Sequence, residues 1–112
     1  SRPLYQQVKD SLRRMMLTGL LEPDEKLPSV RSLATQLAIN PNTIQRAYAE
    51  LEAEGLIYTD STLGKFVNAD ERGIAEKREE YLRARMGEFR TELKGCGVDE
   101  EEFMKLAKEV SK

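Results

Sequence analysis

Two helix starts separated by a very short connection constrain the fold of this chain more than any other feature. Ser29 is a suitable N-cap for a short helix over residues 30–38. Asn40 is a second N-cap, and Pro41 follows it at the first helical position, where the missing N–H costs nothing. Gly55 is the stop signal of this second helix. The sequence therefore predicts two consecutive helices joined by a tight turn.

Each of these two helices has one apolar face. In the first, apolar side chains recur every three or four residues: Val30, Leu33, Ala34 and Leu37. In the second, the same spacing defines the buried stripe: Ile44, Ala47, Tyr48 and Leu51. The outward residues of the second helix are polar or small: Asn42, Gln45, Arg46 and Ala49. Burial of the stripe would leave that polar face free.

A further helix precedes this pair. It begins near Pro3 and ends at Gly19, and Tyr5 is expected to join its apolar face. The connector over residues 20–28 contains a predicted turn at Asp24, because an aspartate after a proline tolerates turn conformations. The connector therefore links the first helix to the start of the helix pair.

Two short β-prone runs follow the helix pair. Residues 56–59 and 65–67 are separated by a turn-rich loop over residues 60–64, which predicts a β-hairpin. A helix, a helix-turn-helix and a hairpin in this order are typical of a winged-helix domain, which would cover residues 1–68. The predicted fold class is mainly α with a small β-hairpin: a winged helix-turn-helix domain plus a two-helix C-terminal tail.

The tail over residues 69–112 is expected to contain two amphipathic helices. The first runs from about residue 70 to 94, Gly95-Cys96-Gly97 breaks it, and the second starts at Asp99 with a capping box to Glu102. Apolar residues on these helices form the candidate interface: Leu82, Met86, Phe89, Leu93 and Phe103. Two such helices cannot bury these stripes alone, so they must pack on the first domain or on a partner.

Composition argues against several classes of protein. The chain has no histidine, so the commonest general base and transition-metal ligand are missing and an enzyme is the least favoured class. The single Cys96 excludes an internal disulfide and fits a reducing cytoplasm. The acidic run over residues 99–102 lacks a calcium-loop pattern and suits a helix start. We expect no metal, no cofactor and no membrane span.

The distribution of charge is more informative than the net charge of -2. No acidic residue occurs over residues 26–49, where the basic residues are Lys26, Arg31 and Arg46. A local basic face can therefore exist on a nearly neutral molecule. The alternative is an ordinary solvated surface, since three basic residues in such a window are not unusual.

The outward face of the second helix of the pair is the first candidate site. Asn42, Gln45 and Arg46 share it, and amide side chains can pair with adenine while arginine binds guanine or phosphate. Other candidates lie at a helix start that could face phosphate and at the hairpin: Ser29, Arg31, Gly64 and Lys65. The competing interpretation of each is a cap or a solvated side chain.

Residues 27–57 resemble the DNA-binding motif of the GntR family of bacterial transcription regulators. They combine Leu-Pro-Ser-x-Arg, Leu-Ala, Asn-Thr, Arg-Ala-Tyr and Leu-Glu-x-Glu-Gly-Leu-Ile at the spacing of that family. The similarity covers residues 3–67, and the short tail resembles the YtrA subfamily. Asp24 departs from the pattern, since relatives usually have a glycine in this turn.

The resemblance implies a cytoplasmic repressor that acts as a homodimer, through its tail, on a palindromic operator in double-stranded DNA. Carried over to matching positions, it implies these DNA contacts: Arg31, Asn42, Thr43, Gln45 and Arg46. Two alternatives stay open. One is a module that binds another protein, and the other is a sensor whose tail binds a small effector, although about 44 residues leave little room for a pocket of ~300 Å³.

Overall fold

The computed structural model describes residues 2–111, which form five helices and one two-stranded antiparallel sheet. In chain order the elements are α1 (Leu4–Leu17), α2 (Val30–Leu37), α3 (Pro41–Ala53), β1 (Ile57–Asp60), β2 (Gly64–Val67), α4 (Glu71–Gly95) and α5 (Glu100–Val110). The fold class expected from the sequence, a mainly helical winged helix-turn-helix, is confirmed.

The helix starts depend on side-chain caps at the predicted positions. The Ser29 hydroxyl accepts the backbone N–H of Ser32 at 3.1 Å, and the Asn40 side chain accepts that of Asn42 at 2.8 Å. Each cap satisfies one of the free N–H groups of the first turn. Between α2 and α3, Ala38 adopts the left-handed conformation with φ 54°. Ala38 ends α2, and α3 begins three residues later at Pro41.

The hairpin is joined to the connector that precedes α2. Within it, Ile57 pairs with Val67. On the other side of β2, the Leu27 N–H donates to the Lys65 carbonyl and the Val67 N–H donates to the Glu25 carbonyl, each at 2.9 Å. The connector thus lies along β2 like a short third strand, and it holds the hairpin against the helical part of the unit.

The core of the winged-helix part lies around α3. Four side chains on one face of this helix have 0 % exposure: Ile44, Ala47, Tyr48 and Leu51. Helices α1 and α2 and strand β1 contribute buried residues that include Val8, Met16, Leu33 and Ile57. The Tyr48 hydroxyl donates to the Pro28 carbonyl at 2.8 Å, and burial raises the pKa of Tyr48 to about 12. Tyr48 therefore stays a neutral donor that ties α3 to the residue before Ser29.

The chain divides into two compact units at the Arg78–Glu79 bond, within α4. The sequence predicts a domain boundary at residue 68. Strand β2 ends at Val67, and the first turns of α4 belong with the N-terminal unit. In the C-terminal unit, the Phe89 and Phe103 rings meet edge to face with centroids 6.3 Å apart. This contact joins the end of α4 to α5 as a helical hairpin.

Ion pairs connect α1 to the C-terminal half of α3. The Lys9 ammonium lies 2.9 Å from the Glu50 carboxylate and 2.6 Å from that of Glu54, and Arg13 lies 2.7 Å from Glu54. Burial alone would raise the pKa of the Glu54 carboxyl, but the hydrogen bonds and charges of Lys9 and Arg13 outweigh burial and lower this pKa. The charged form of Glu54 is therefore favoured by folding.

Replacing Ala38 with glycine should stabilise the protein. An L-residue is disfavoured at a left-handed helix end, whereas glycine adopts this conformation freely, so we expect the free energy of unfolding to rise by about 0.5–1 kcal/mol. Urea denaturation followed by circular dichroism would measure it. The matched control is Ala49→Gly at an exposed position inside α3, which should lose about 1 kcal/mol. A loss of stability in Ala38→Gly would contradict the role assigned to this turn.

The contribution of Glu54 should depend on pH. Because folding lowers its pKa below the ordinary 4.5, its stabilising effect is complete above the unfolded pKa and disappears as pH falls through the folded pKa. The difference in free energy of unfolding between the wild type and Glu54→Gln should thus be largest near pH 7 and shrink below pH 4.5. Glu76→Gln, which opens an exposed pair with Arg72, is the control. A difference independent of pH would be inconsistent with this assignment.

Candidate nucleic-acid interface

The outward face of α3 brings three of the predicted site residues together. Asn42, Gln45 and Arg46 are exposed, and Thr43 is half-buried beside them. Their orientation follows from the opposite face, where Ile44 and its neighbours are fully buried and leave the helix no freedom to rotate. Two amides and a guanidinium are therefore presented on one side of the helix that follows the tight turn.

Arg46 is held by contacts on its own helix and on α1. Its Nε donates to the Glu50 carboxylate at 3.3 Å, and one Nη donates to the Tyr5 hydroxyl at 3.0 Å. The guanidinium carbon also lies 3.7 Å from the centre of the Tyr5 ring, which is a cation–π contact. The Arg46 side chain nevertheless remains 61 % exposed. It is ordered and still accessible to a ligand.

The start of α2 carries the next predicted pair. Ser29 caps the helix, as either interpretation of this residue required, and its hydroxyl is occupied by the Ser32 N–H. Arg31 lies in the first turn and is exposed. The free N–H groups and the dipole at a helix start favour an anion, and the Arg31 guanidinium adds a positive charge beside them.

Two basic side chains, the predicted Lys65 and also Lys26, lie at the hairpin. Lys65 is only 22 % exposed, because its ammonium contacts the Thr59 hydroxyl at 2.8 Å and the Glu52 carboxylate at 3.4 Å. Gly64 has φ 112°, a backbone conformation that favours glycine, and the exposed Lys26 runs beside it. A Cβ on Gly64 would lie 3.6 Å from the Lys26 side chain. Lys26 is thus the more available cation at this hairpin.

Sequence reasoning missed two features of this surface. Tyr5 was expected on the apolar face of α1, but its hydroxyl and ring contact Arg46. Lys26 was counted only as part of an acid-free window. The sequence offers only their chemistry as a signal, since Tyr5 is a phenol at a helix start and Lys26 is a lysine before a helix. The partners of these residues are distant in sequence and are set by tertiary packing.

The C-terminal unit has a second candidate surface, which is apolar. Leu82, Met86 and Phe89 are exposed by 41, 62 and 53 %, respectively. Leu93 and Phe103, the other predicted members, are half-buried. Helix α5 has further exposed apolar side chains: Met104, Leu106 and Val110. Within this unit the stripes of α4 and α5 are therefore only partly covered.

A cavity of about 500 Å³ opens between α1, the connector and α2. Its wall is mainly aliphatic, with contributions from Val8, Leu12, Leu27 and Leu33. It lies within the winged-helix part, whereas the sequence had raised a small-effector site only for the tail. Across residues 2–111, no cluster of three or more His, Cys, Asp or Glu side chains could hold a metal ion. No helix in the same range is long and apolar enough to cross a membrane.

The amino-acid sequence is similar to those of known bacterial regulators. Residues 4–67 match the family model described as "Bacterial regulatory proteins, gntR family". The HTH-type transcriptional repressor YtrA of Bacillus subtilis (strain 168) is 33 % identical over 112 residues, which cover 99 % of this chain and 86 % of YtrA. This relative is thus similar along the tail as well as the winged helix.

Solved structures are similar as well. A GntR family transcriptional regulator from Listeria monocytogenes is 40 % identical, with a TM-score of 0.85 over 97 % of this chain and 96 % of that one. AraR(DBD) in complex with operator ORR3 is 33 % identical, with a TM-score of 0.56 over 60 % of this chain and 81 % of that one. The chain therefore belongs to the gntR family of bacterial regulatory proteins and is a DNA-binding transcription regulator.

Proposed function

We propose that the chain is a repressor that binds a palindromic operator as a homodimer in the bacterial cytoplasm. The observation that carries this proposal is the exposed polar face of α3, on a helix whose opposite face is completely buried. A helix anchored in this way can enter a major groove without changing its rotation. Similarity to the repressor YtrA supports the direction of regulation.

The side chains of α3 divide into two roles. Asn42 and Gln45 are exposed amides that can each donate to and accept from a base edge, as adenine requires. Arg46 supplies a positive charge for guanine or phosphate. Thr43 is half-buried and suits a contact close to the helix axis, such as a thymine methyl group or a nearby phosphate.

Contacts to the DNA backbone would flank the α3 helix. Arg31 and the start of α2 suit one phosphate, because the helix dipole and the guanidinium act on the same side. At the wing, which is the hairpin of β1 and β2, Lys26 is the exposed basic side chain, while Lys65 is already paired with Glu52. We therefore expect Lys26 to contribute more than Lys65 to the electrostatic part of binding.

Dimerisation would use the apolar surface of the C-terminal unit. Leu82, Met86 and Phe89 lie on one stripe of α4 with too little cover in the single chain. Leu93 and Phe103 are half-buried and would pack beside this stripe in the interface. A two-fold contact through the tail places two α3 helices in symmetric positions, so the operator would repeat its half-site with inverted symmetry.

Arg31→Ala should weaken operator binding and change its salt dependence. Loss of one phosphate contact lowers the slope of log affinity against log salt by roughly one. The probe is an operator selected by the wild-type protein from a random-sequence DNA library, and fluorescence anisotropy at several salt concentrations gives the slope. Arg14→Ala removes an exposed positive charge from the end of α1 and serves as the control. Unchanged affinity and slope in Arg31→Ala would rule out the phosphate contact.

Met86→Glu should dissociate the dimer. A carboxylate at this exposed apolar position would be forced into the proposed interface, where burying an unpaired charge is strongly unfavourable. Light scattering at tens of micromolar should change from dimer to monomer. The control is Ala84→Glu, which adds the same charge at an exposed position on the opposite face of α4. A monomeric wild-type protein, or a dimer that survives Met86→Glu, would refute this interface.

A further inference from the structure

The guanidinium of Arg46 is exposed, yet side chains from two helices contact it. Glu50 lies one turn further along α3 and accepts from the Arg46 Nε at 3.3 Å. Tyr5 approaches from α1 and makes two contacts, a hydrogen bond of 3.0 Å to one Nη and the ring contact of 3.7 Å. The guanidinium is thus held from two directions by two different helices.

Glu50 is itself held in place by Lys9. One carboxylate oxygen accepts from the Lys9 ammonium at 2.9 Å and the other accepts from Arg46. These interactions, with Lys9 contributing most, lower the pKa of the Glu50 carboxyl, so it stays ionised at neutral pH. The arrangement runs from the Lys9 side chain on α1 through Glu50 to Arg46.

These contacts leave part of the guanidinium free for a ligand. An arginine has five N–H donors in a planar fork, and here Nε and one N–H of the second Nη are engaged. Within residues 2–111, no hydrogen bond involves the first Nη of Arg46. That nitrogen, together with the second hydrogen of the other Nη, can still form a bidentate pair with a phosphate or a guanine edge.

The contact between Tyr5 and Arg46 is one of several that join α1 to α3. Helix α1 is already attached to α3 through buried Val8 and Met16 and through the ion pairs of Lys9 and Arg13. An exposed pair on the rim adds little to stability. The contact does restrict the Arg46 side chain before binding. Less conformational entropy is therefore lost when Arg46 binds a ligand.

We infer that Tyr5, outside the helix-turn-helix, is a positioning residue for DNA recognition, because its hydroxyl and ring hold the Arg46 guanidinium ready for DNA. This inference rests on the proposed role of Arg46 as a DNA contact. Helix α1 thereby contributes to operator affinity without touching a base. The benefit is the ordering of one side chain before binding, which corresponds to about a 2- to 10-fold effect on affinity.

A double-mutant cycle tests this role. Operator affinity is measured by fluorescence anisotropy for the wild type, Tyr5→Leu, Arg46→Ala and the double variant, on the operator selected from a random DNA library. Tyr5→Leu should weaken binding about 2- to 10-fold and leave the salt slope unchanged, because the charge of Arg46 remains. In the Arg46→Ala background the same substitution should have no further effect.

Two additional variants keep the test decisive. Tyr5→Phe preserves the ring and removes only the hydroxyl, so it should show a smaller loss and remains informative if Tyr5→Leu is poorly folded. Tyr81→Phe in the C-terminal unit is the matched control and should leave affinity unchanged. Thermal unfolding of each variant separates a loss of fold from a loss of positioning.

The outcomes distinguish the inference from the function on which it rests. If Tyr5→Leu and Tyr5→Phe weaken binding equally with and without Arg46, then Tyr5 acts on DNA or on the fold directly and the positioning role is wrong. If Arg46→Ala weakens binding while both Tyr5 variants bind like the wild type, the positioning role is also wrong. If Arg46→Ala itself has no effect, the proposed DNA contact of Arg46 fails instead.

Discussion

The complete burial of one face of α3 is the constraint on which the rest of the winged-helix unit depends. Tyr48 is central to it, because its ring is inaccessible to solvent and its hydroxyl donates to the Pro28 carbonyl. Losing that acceptor would leave a buried polar group unsatisfied, which is costly. The same residue therefore fixes the rotation of α3 and its distance from the start of α2, and the polar face of α3 is oriented as a consequence.

Features encoded by short-range spacing could be predicted from the sequence. The caps at Ser29, Asn40 and Asp99 all form, because each depends only on residues two or three positions ahead. The buried stripe of α3 follows from helical periodicity, and the outward residues follow by elimination. The turn at Asp24 was also predictable, and its φ of 64° is a left-handed conformation that favours glycine.

Contacts between distant residues could not be predicted in this way. Tyr5 and Arg46 lie 41 positions apart, and Lys65 meets Glu52 across the start of the hairpin. Both pairs involve flexible polar side chains whose partners are chosen by packing, so sequence pattern alone places each of them simply at the surface. The cavity beside α1 was overlooked for a related reason, since it is a gap between helices and not a property of any one segment.

The attachment of the connector to β2 has a mechanical consequence. The Leu27 N–H is bonded to the Lys65 carbonyl only two residues before the cap of α2, so the wing and the helix-turn-helix share one stiff piece of backbone. The distance between the wing and the helix-turn-helix is therefore fixed. If this distance does not change on binding, the DNA must deform to fit it. The energy of deforming base steps that the protein does not contact then affects affinity. Operator preference would extend beyond the bases that α3 reaches, into the flexible steps between helix and wing.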